Sequence, residues 1–179
     1  SYTTTTTSTT STTTTTGIDM SVDDCVDTVL EEVLYEGVSD HIGGGRGGHS
    51  IEGIADVLEK NPVKIFVNKH EAEGVKKVTG ISDSDINIVE SGDHLTIGLN
   101  DIEFLHTPGH TPGSQCFKIN ENLISGDTLF IQGCGRVDLP GSNSDDMYHS
   151  LKKLGDLPDE TILYPGHHYS PEEFQSMGK

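Results

Sequence analysis

The chain has 179 residues, 32% of them hydrophobic, which is enough for one domain with a sizeable core. Lys and Arg number 11 against 29 Asp and Glu, a formal charge of −18 at pH 7, so a nucleic-acid backbone or an anionic membrane surface is repelled. No apolar run approaches the ~18 residues of a membrane span and no export signal is legible, so the expectation is a cytoplasmic protein with neither nucleic acid nor membrane as partner.

Residues 1–16 are Thr and Ser except for Tyr2. Such a run has β propensity but no alternating apolar face, and reads as either a disordered leader over residues 1–17 or an edge-strand segment. A folded domain is expected over residues 18–179. Val22, Val26, Val29, Leu30, Val33 and Leu34 recur at helical spacing, with Ser21 placed to cap and Asp23 and Asp24 in the first turn. Ile51, Ile54, Ala55 and Leu58 repeat that signature after a glycine-dense loop. A strand is predicted at 64–68 and a helix at 71–78.

Short β-rich runs follow at 86–89, 95–99 and 102–105, then a hairpin of 115–119 with 122–124 turning at Asn120 and Glu121. Ser144 is predicted to cap a helix with Met147, Leu151 and Leu154 on one face, and 161–164 is predicted as the last strand. Helices alternating with sheet predict a layered α/β architecture. Cys25, Cys116 and Cys134 form no Cys-x-x-Cys and read as small buried side chains in a reducing compartment.

Four segments carry chemistry: Asp40-His41-Ile42-Gly43-Gly44, Leu105-His106-Thr107-Pro108-Gly109-His110-Thr111-Pro112-Gly113, Ser125-Gly126-Asp127-Thr128 and Tyr164-Pro165-Gly166-His167. Imidazoles and carboxylates on Gly- and Pro-rich turns after apolar runs suit a metal centre, because loops held by rigid strands can aim several ligands at one point. Asp40, His41, His110, Asp127 and His167 are the candidate ligands. His106 and His168 are read as supporting residues, and His49, His70, His94 and His149 as surface residues. The Gly43 to Gly48 run lacks the apolar strand and Lys-Ser/Thr ending of a phosphate loop and is read as a flexible loop beside the metal. Arg136 either holds an anionic substrate or pairs with Asp138, and the pair is preferred.

The four motifs in this order resemble those of the metallo-β-lactamase superfamily. Gly133-Cys134-Gly135-Arg136, Met147-Tyr148-x-Ser150-Leu151 and Leu157-Pro158-Asp159-Glu160-Thr161 resemble in particular the branch of glyoxalase II, a hydroxyacylglutathione hydrolase, and the persulfide dioxygenases. The resemblance runs over roughly residues 18–179. It implies an αββα sandwich, here with a reduced N-terminal half. It makes His110 a ligand of a first metal, Asp40, His41 and His167 ligands of a second, and Asp127 the bridge between them.

One departure stands out. Where the family carries His-x-His-x-Asp-His, this chain reads Glu36-Gly37-Val38-Ser39-Asp40-His41. Val38 has no lone pair, and Glu36 can ligate only through oxygen. The expectation is therefore one zinc ion rather than two, held by Asp40, His41, Asp127 and His167, with iron as the alternative metal. The implied activity is attack of metal-bound water on an ester or thioester carbonyl of a small-molecule substrate, with Asp40 and Asp127 as catalytic carboxylates. Glutathione as the carrier thiol is not expected, since glyoxalase II continues past the position of Lys179 into a helical segment with basic substrate contacts. The alternatives are a persulfide dioxygenase-like iron oxidoreductase and a catalytically inactive or engineered scaffold.

Overall fold

Successive side chains of a strand face opposite ways, so a strand that is apolar at consecutive positions must be covered on both faces. The computed structural model describes residues 64–178 and the backbone of residues 14 and 15. The helix expected at 22–34, the glycine-rich loop, the 51–58 segment and Cys25, Glu36, Val38, Asp40 and His41 lie outside the described residues. The elements are β1 (Thr14–Thr15), β2 (Ile65–Asn68), α1 (Ala72–Thr79), β3 (Ile86–Val89), β4 (His94–Ile97), β5 (Asn100–His106) and β6 (Gln115–Ile119). They continue with β7 (Asn122–Gly126), β8 (Leu129–Phe130), β9 (Gly133–Cys134), α2 (Ser144–Gly155), β10 (Ile162–Pro165) and β11 (Gln175–Ser176).

The main sheet has the strand order β1-β4-β5-β6-β7-β10-β11, with β2 and β3 paired in parallel and β8 and β9 as a separate hairpin. One face of the main sheet presents Ile102, Phe104, Phe117, Ile119 and Ile124, packed with Val89 of β3 and Phe66 of β2. Phe104 and Phe117 meet edge to face at 5.5 Å, the arrangement favoured by their ring quadrupoles. The other face presents Leu105, Cys116, Leu123 and Leu163, covered by Leu154 of α2. Leu154 is fully buried, a contribution of about 1.5–3 kcal/mol. On the far side of β2 and β3, Val67 and Ile86 pack with Ala72 and Val75 of α1. The layers therefore run α1, β2–β3, main sheet, α2, which is the expected αββα sandwich.

Local boundaries differ from the sequence reading for identifiable reasons. Asn143, not Ser144, caps α2: its backbone is extended, and its side-chain oxygen accepts the Asp145 and Asp146 N–H groups at 2.9 and 3.1 Å. The predicted 95–99 strand stops at Ile97 because Gly98 turns with φ 58, leaving Leu99 exposed. β10 is not the last strand, since β11 pairs antiparallel with it. Two-residue strands such as β8, β9 and β11 are too short to carry a period. Thr14 and Thr15 pair in parallel with Thr96 and Ile97 at the sheet edge, in line with the edge-strand alternative for those two residues. The hairpin turns at Asn120 as expected, with Asn120 in the left-handed region at φ 53. Cys116 is buried as read, but Cys134 is exposed because β9 is exposed at both of its residues.

The strand directions set up the site. β5 and β7 are each antiparallel to β6, and β10 is parallel to β7. β5, β7 and β10 therefore point the same way, and the segments leaving their C-terminal ends emerge along one edge of the sheet.

Candidate metal centre

The segment leaving β5 carries His110 on a loop closed by its own hydrogen bonds. Thr107 N–H donates to the Ser114 carbonyl at 2.8 Å, Gly109 N–H to the Thr111 carbonyl at 3.1 Å, and Thr111 N–H to Ser114 Oγ at 3.0 Å. Helix α2 presses on this loop: the Gly109 carbonyl accepts Asn143 N–H at 2.8 Å, and Ser150 Oγ donates to the Pro108 carbonyl at 2.7 Å. A side chain at Gly109 would place a Cβ 2.5 Å from Met147 Cα, and its φ of 145 is open only to glycine. Proximity of helix and loop thus depends on this residue. His110 ends up buried.

Asp127 follows β7, where Gly126 turns the chain at φ 49. Gly166, after β10, packs its backbone on Gly126: its N–H donates to the Gly126 carbonyl at 3.0 Å, and a Cβ there would lie 2.9 Å from Gly126 carbonyl carbon. This contact sets His167 beside Asp127. A hydroxyl pair, Thr107 Oγ1 and Thr128 Oγ1 at 3.1 Å, ties the His110 loop to the Asp127 turn.

Three predicted residues are brought together in this way. His110 Nε2 lies 3.4 Å from Asp127 Oδ2, and His167 Nε2 lies 3.1 Å from Asp127 Oδ1. Each imidazole addresses its own oxygen, so the donors form two pairs that share one carboxylate. Accordingly, no group of three or more His, Cys, Asp or Glu among the described residues is placed to hold a metal ion by itself.

The ring orientation of His110 comes from the β8–β9 hairpin and the residues after it. His110 Nδ1 lies 2.9 Å from the Arg136 main-chain carbonyl. A carbonyl only accepts, so Nδ1 carries the proton, and in the neutral ring Nε2 then turns a lone pair toward Asp127. That lone pair can take a metal ion, as in a metal-ligand pair, and in the absence of an ion a proton on Nε2 donating to Asp127 satisfies the same geometry. The donor set therefore fits a divalent metal ion.

Gly135 permits this approach: a Cβ there would stand 1.8 Å from the Asp127 carbonyl oxygen and 3.2 Å from His110 Nδ1. The Arg136 guanidinium pairs with both Asp138 oxygens at 2.8 and 2.9 Å, the pairing preferred from the sequence. That guanidinium holds the Asp138 carboxyl below its ordinary value of 3.8. Phe130 and Tyr169 flank the His167 ring at centroid distances of 6.0 and 5.4 Å.

Four other described histidines have partners of their own. His106 Nε2–H donates to the Pro112 carbonyl at 2.9 Å and so supports the His110 loop, as its place beside the motif suggested. His70 stacks on His106 at 5.6 Å, His94 pairs with Asp101 at 2.7 Å, and His149 contacts the Tyr148 ring. Sequence reasoning missed the Arg136 carbonyl, which as a main-chain atom leaves no side-chain signal; Gly135 beside it is the residue that could have pointed there. It also missed Glu71, whose side chain is buried against Gly113.

Residues 39–167 match the metallo-β-lactamase superfamily, a stretch that holds all five candidate residues. The chain belongs to this superfamily. Among superfamily relatives, the hydroxyacylglutathione hydrolase of Brucella ovis is 39% identical over 122 residues, covering 67% of this chain and 44% of that protein. The probable polyketide biosynthesis zinc-dependent hydrolase BaeB of Bacillus velezensis is 36% identical over 90 residues, 50% of this chain and 40% of that protein. The crystal structure of ETHE1 from Myxococcus xanthus superposes with a TM-score of 0.53 at 27% identity, covering 72% of this chain and 66% of that one. These relatives support the glyoxalase II and persulfide dioxygenase-like branch of the superfamily. The chain spans less than half the length of the two curated relatives. Among the described residues no helix is long and apolar enough to cross a membrane.

Proposed function

We propose that this chain carries a metal-dependent hydrolase centre of the glyoxalase II type, acting on an ester or thioester carbonyl of a small-molecule substrate. The observation that supports it most is the shared carboxylate: His110 Nε2 and His167 Nε2 face opposite oxygens of Asp127 at 3.4 and 3.1 Å. In this reading Asp40, His41, Asp127 and His167 hold one zinc ion. His110 and the other Asp127 oxygen are what remains of a second position, whose further donors are replaced by Glu36 and Val38. A divalent metal held there supplies Lewis acidity, lowering the pKa of a water and polarising a carbonyl. Asp127, fixed by the Gly126 turn, and Asp40 orient the reacting groups. The Arg136 carbonyl accepts from His110 Nδ1 and keeps that ring turned toward Asp127. The relatives named hydroxyacylglutathione hydrolase support the thioester class, and the zinc-dependent relative supports zinc.

The likeness to ETHE1 supports a second reading, an iron oxidoreductase of the persulfide dioxygenase type. Metal analysis of the purified full chain, with hydrolysis of a model acyl thioester and oxygen uptake, separates the readings. About one zinc per chain with thioester hydrolysis is the expected result. Bound iron with oxygen consumption favours the second reading, and no metal at all leaves an inactive scaffold. If Asp127→Ala leaves metal content unchanged, the assignment of Asp127 is wrong.

A further inference from the structure

Glu71 is a buried carboxyl group that the proposed chemistry does not use. It stands between β2 and α1 and is only 8% exposed. A buried carboxyl group costs free energy unless it is well partnered, so its presence calls for an account. Its Oε1 accepts the Gly113 N–H at 2.8 Å, reaching across 42 residues of chain to the loop that carries His110. The fit is close from both sides. A Cβ on Gly113 would lie 2.3 Å from Glu71 Cγ and 2.7 Å from Oε1, so the Glu71 arm occupies the space that any other residue at 113 would fill.

Other ties on this loop include bonds within the loop itself, bonds from α2, the Thr107 hydroxyl contact with Thr128 and the His110 contact with the Arg136 carbonyl. Glu71 is different in kind: it belongs to the layer containing β2 and α1, and it joins that layer to a loop at the edge of the main sheet.

We propose that Glu71 is a positioning residue for His110: by holding the Gly113 amide it fixes the C-terminal side of the loop, and with it the approach of His110 to Asp127. The inference rests on the metal-centre reading for the place of His110 in the site, but not for the orientation of its ring. Two variants separate positioning from general support. Glu71→Gln keeps the length and an acceptor oxygen, whereas Glu71→Met keeps the length and loses the acceptor.

The test uses the full chain with 15N-labelled histidine. In the metal-free protein, Glu71→Met is expected to shift the His110 ring-nitrogen signals and to weaken the protected Nδ1–H resonance, while Glu71→Gln leaves them near wild type. If Glu71→Met fails to fold, Glu71→Asp, one methylene too short to reach Gly113, takes its place with the same expectation. Unchanged His110 signals in Glu71→Met or Glu71→Asp overturn the proposal, even where the melting temperature falls. Wild-type protein that binds no zinc overturns the metal reading instead, and the ring signals still decide the role of Glu71.

Discussion

Replacing Gly135 with alanine tests how closely the hairpin and the metal-site residues are packed. The added Cβ would stand 1.8 Å from the Asp127 carbonyl oxygen, 3.0 Å from its carbonyl carbon and 3.2 Å from His110 Nδ1. The oxygen is a backbone atom and cannot swing aside as a side chain does. Restoring ordinary contact requires a movement of about 1.5 Å. The bond from His110 Nδ1 to the neighbouring Arg136 carbonyl is 2.9 Å long, and a shift of that size along it would take it beyond hydrogen-bonding range. Overpacking of this kind costs about 1–3 kcal/mol, which lowers the melting temperature by about 2–12 °C for a chain of this size. Release of the His110 ring is expected to shift its ring-nitrogen signals and to weaken the Nδ1–H resonance in the histidine-labelled protein. Gly133→Ala is the control, because nothing lies within 4 Å of its Cβ position and neither quantity should change. Thermal melts and 15N spectra of the metal-free protein carrying 15N-labelled histidine measure the two effects. A Gly135→Ala protein that melts like wild type and keeps the wild-type His110 signals refutes the reasoning. A lowered melting temperature with unaltered His110 signals refutes the link to His110.

Two further outcomes concern the fold around the site. Asn143→Ala removes the acceptor for two N–H groups at the start of α2 and is expected to cost about 1 kcal/mol in denaturant unfolding, whereas Ser144→Ala should cost little; equal losses would contradict the capping assignment. Asp138 is held below its ordinary value of 3.8 by Arg136, so its stabilising pairing is present above that value and is lost as pH falls through the lower, folded-state value. Asp138→Asn should therefore flatten the acid end of the stability–pH curve slightly, and an unchanged slope there would show that the pair contributes nothing.

Much of the fold was legible because it is written at short range. The runs that became β2, β3, β5, β6 and β7 alternate or concentrate apolar residues over a few positions, and the hairpin turn sits at an Asn that tolerates the left-handed region. α1 and α2 were visible from spacing, with the cap of α2 misplaced by one residue because Asn143 and Ser144 are both good capping residues and only backbone conformation separates them. His110, Asp127 and His167 were legible as candidates because each stands on its own Gly- or Pro-bearing turn.

What the sequence by itself determined is which residues are available: the ordered motifs, the donors they contain and the replacement of two histidines by Glu36 and Val38. What only the tertiary structure decided is how those donors meet. The parallel pairing of β7 with β10 aligns two strand ends that lie 39 residues apart at Ser125 and Tyr164, and the backbone contact of Gly166 with Gly126 fixes the distance from His167 to Asp127. The Arg136 carbonyl and the Glu71 carboxyl act through contacts 26 and 42 residues distant along the chain. Local propensity reports on neighbours a few residues away, whereas these contacts arise only once the sheets and helices have packed.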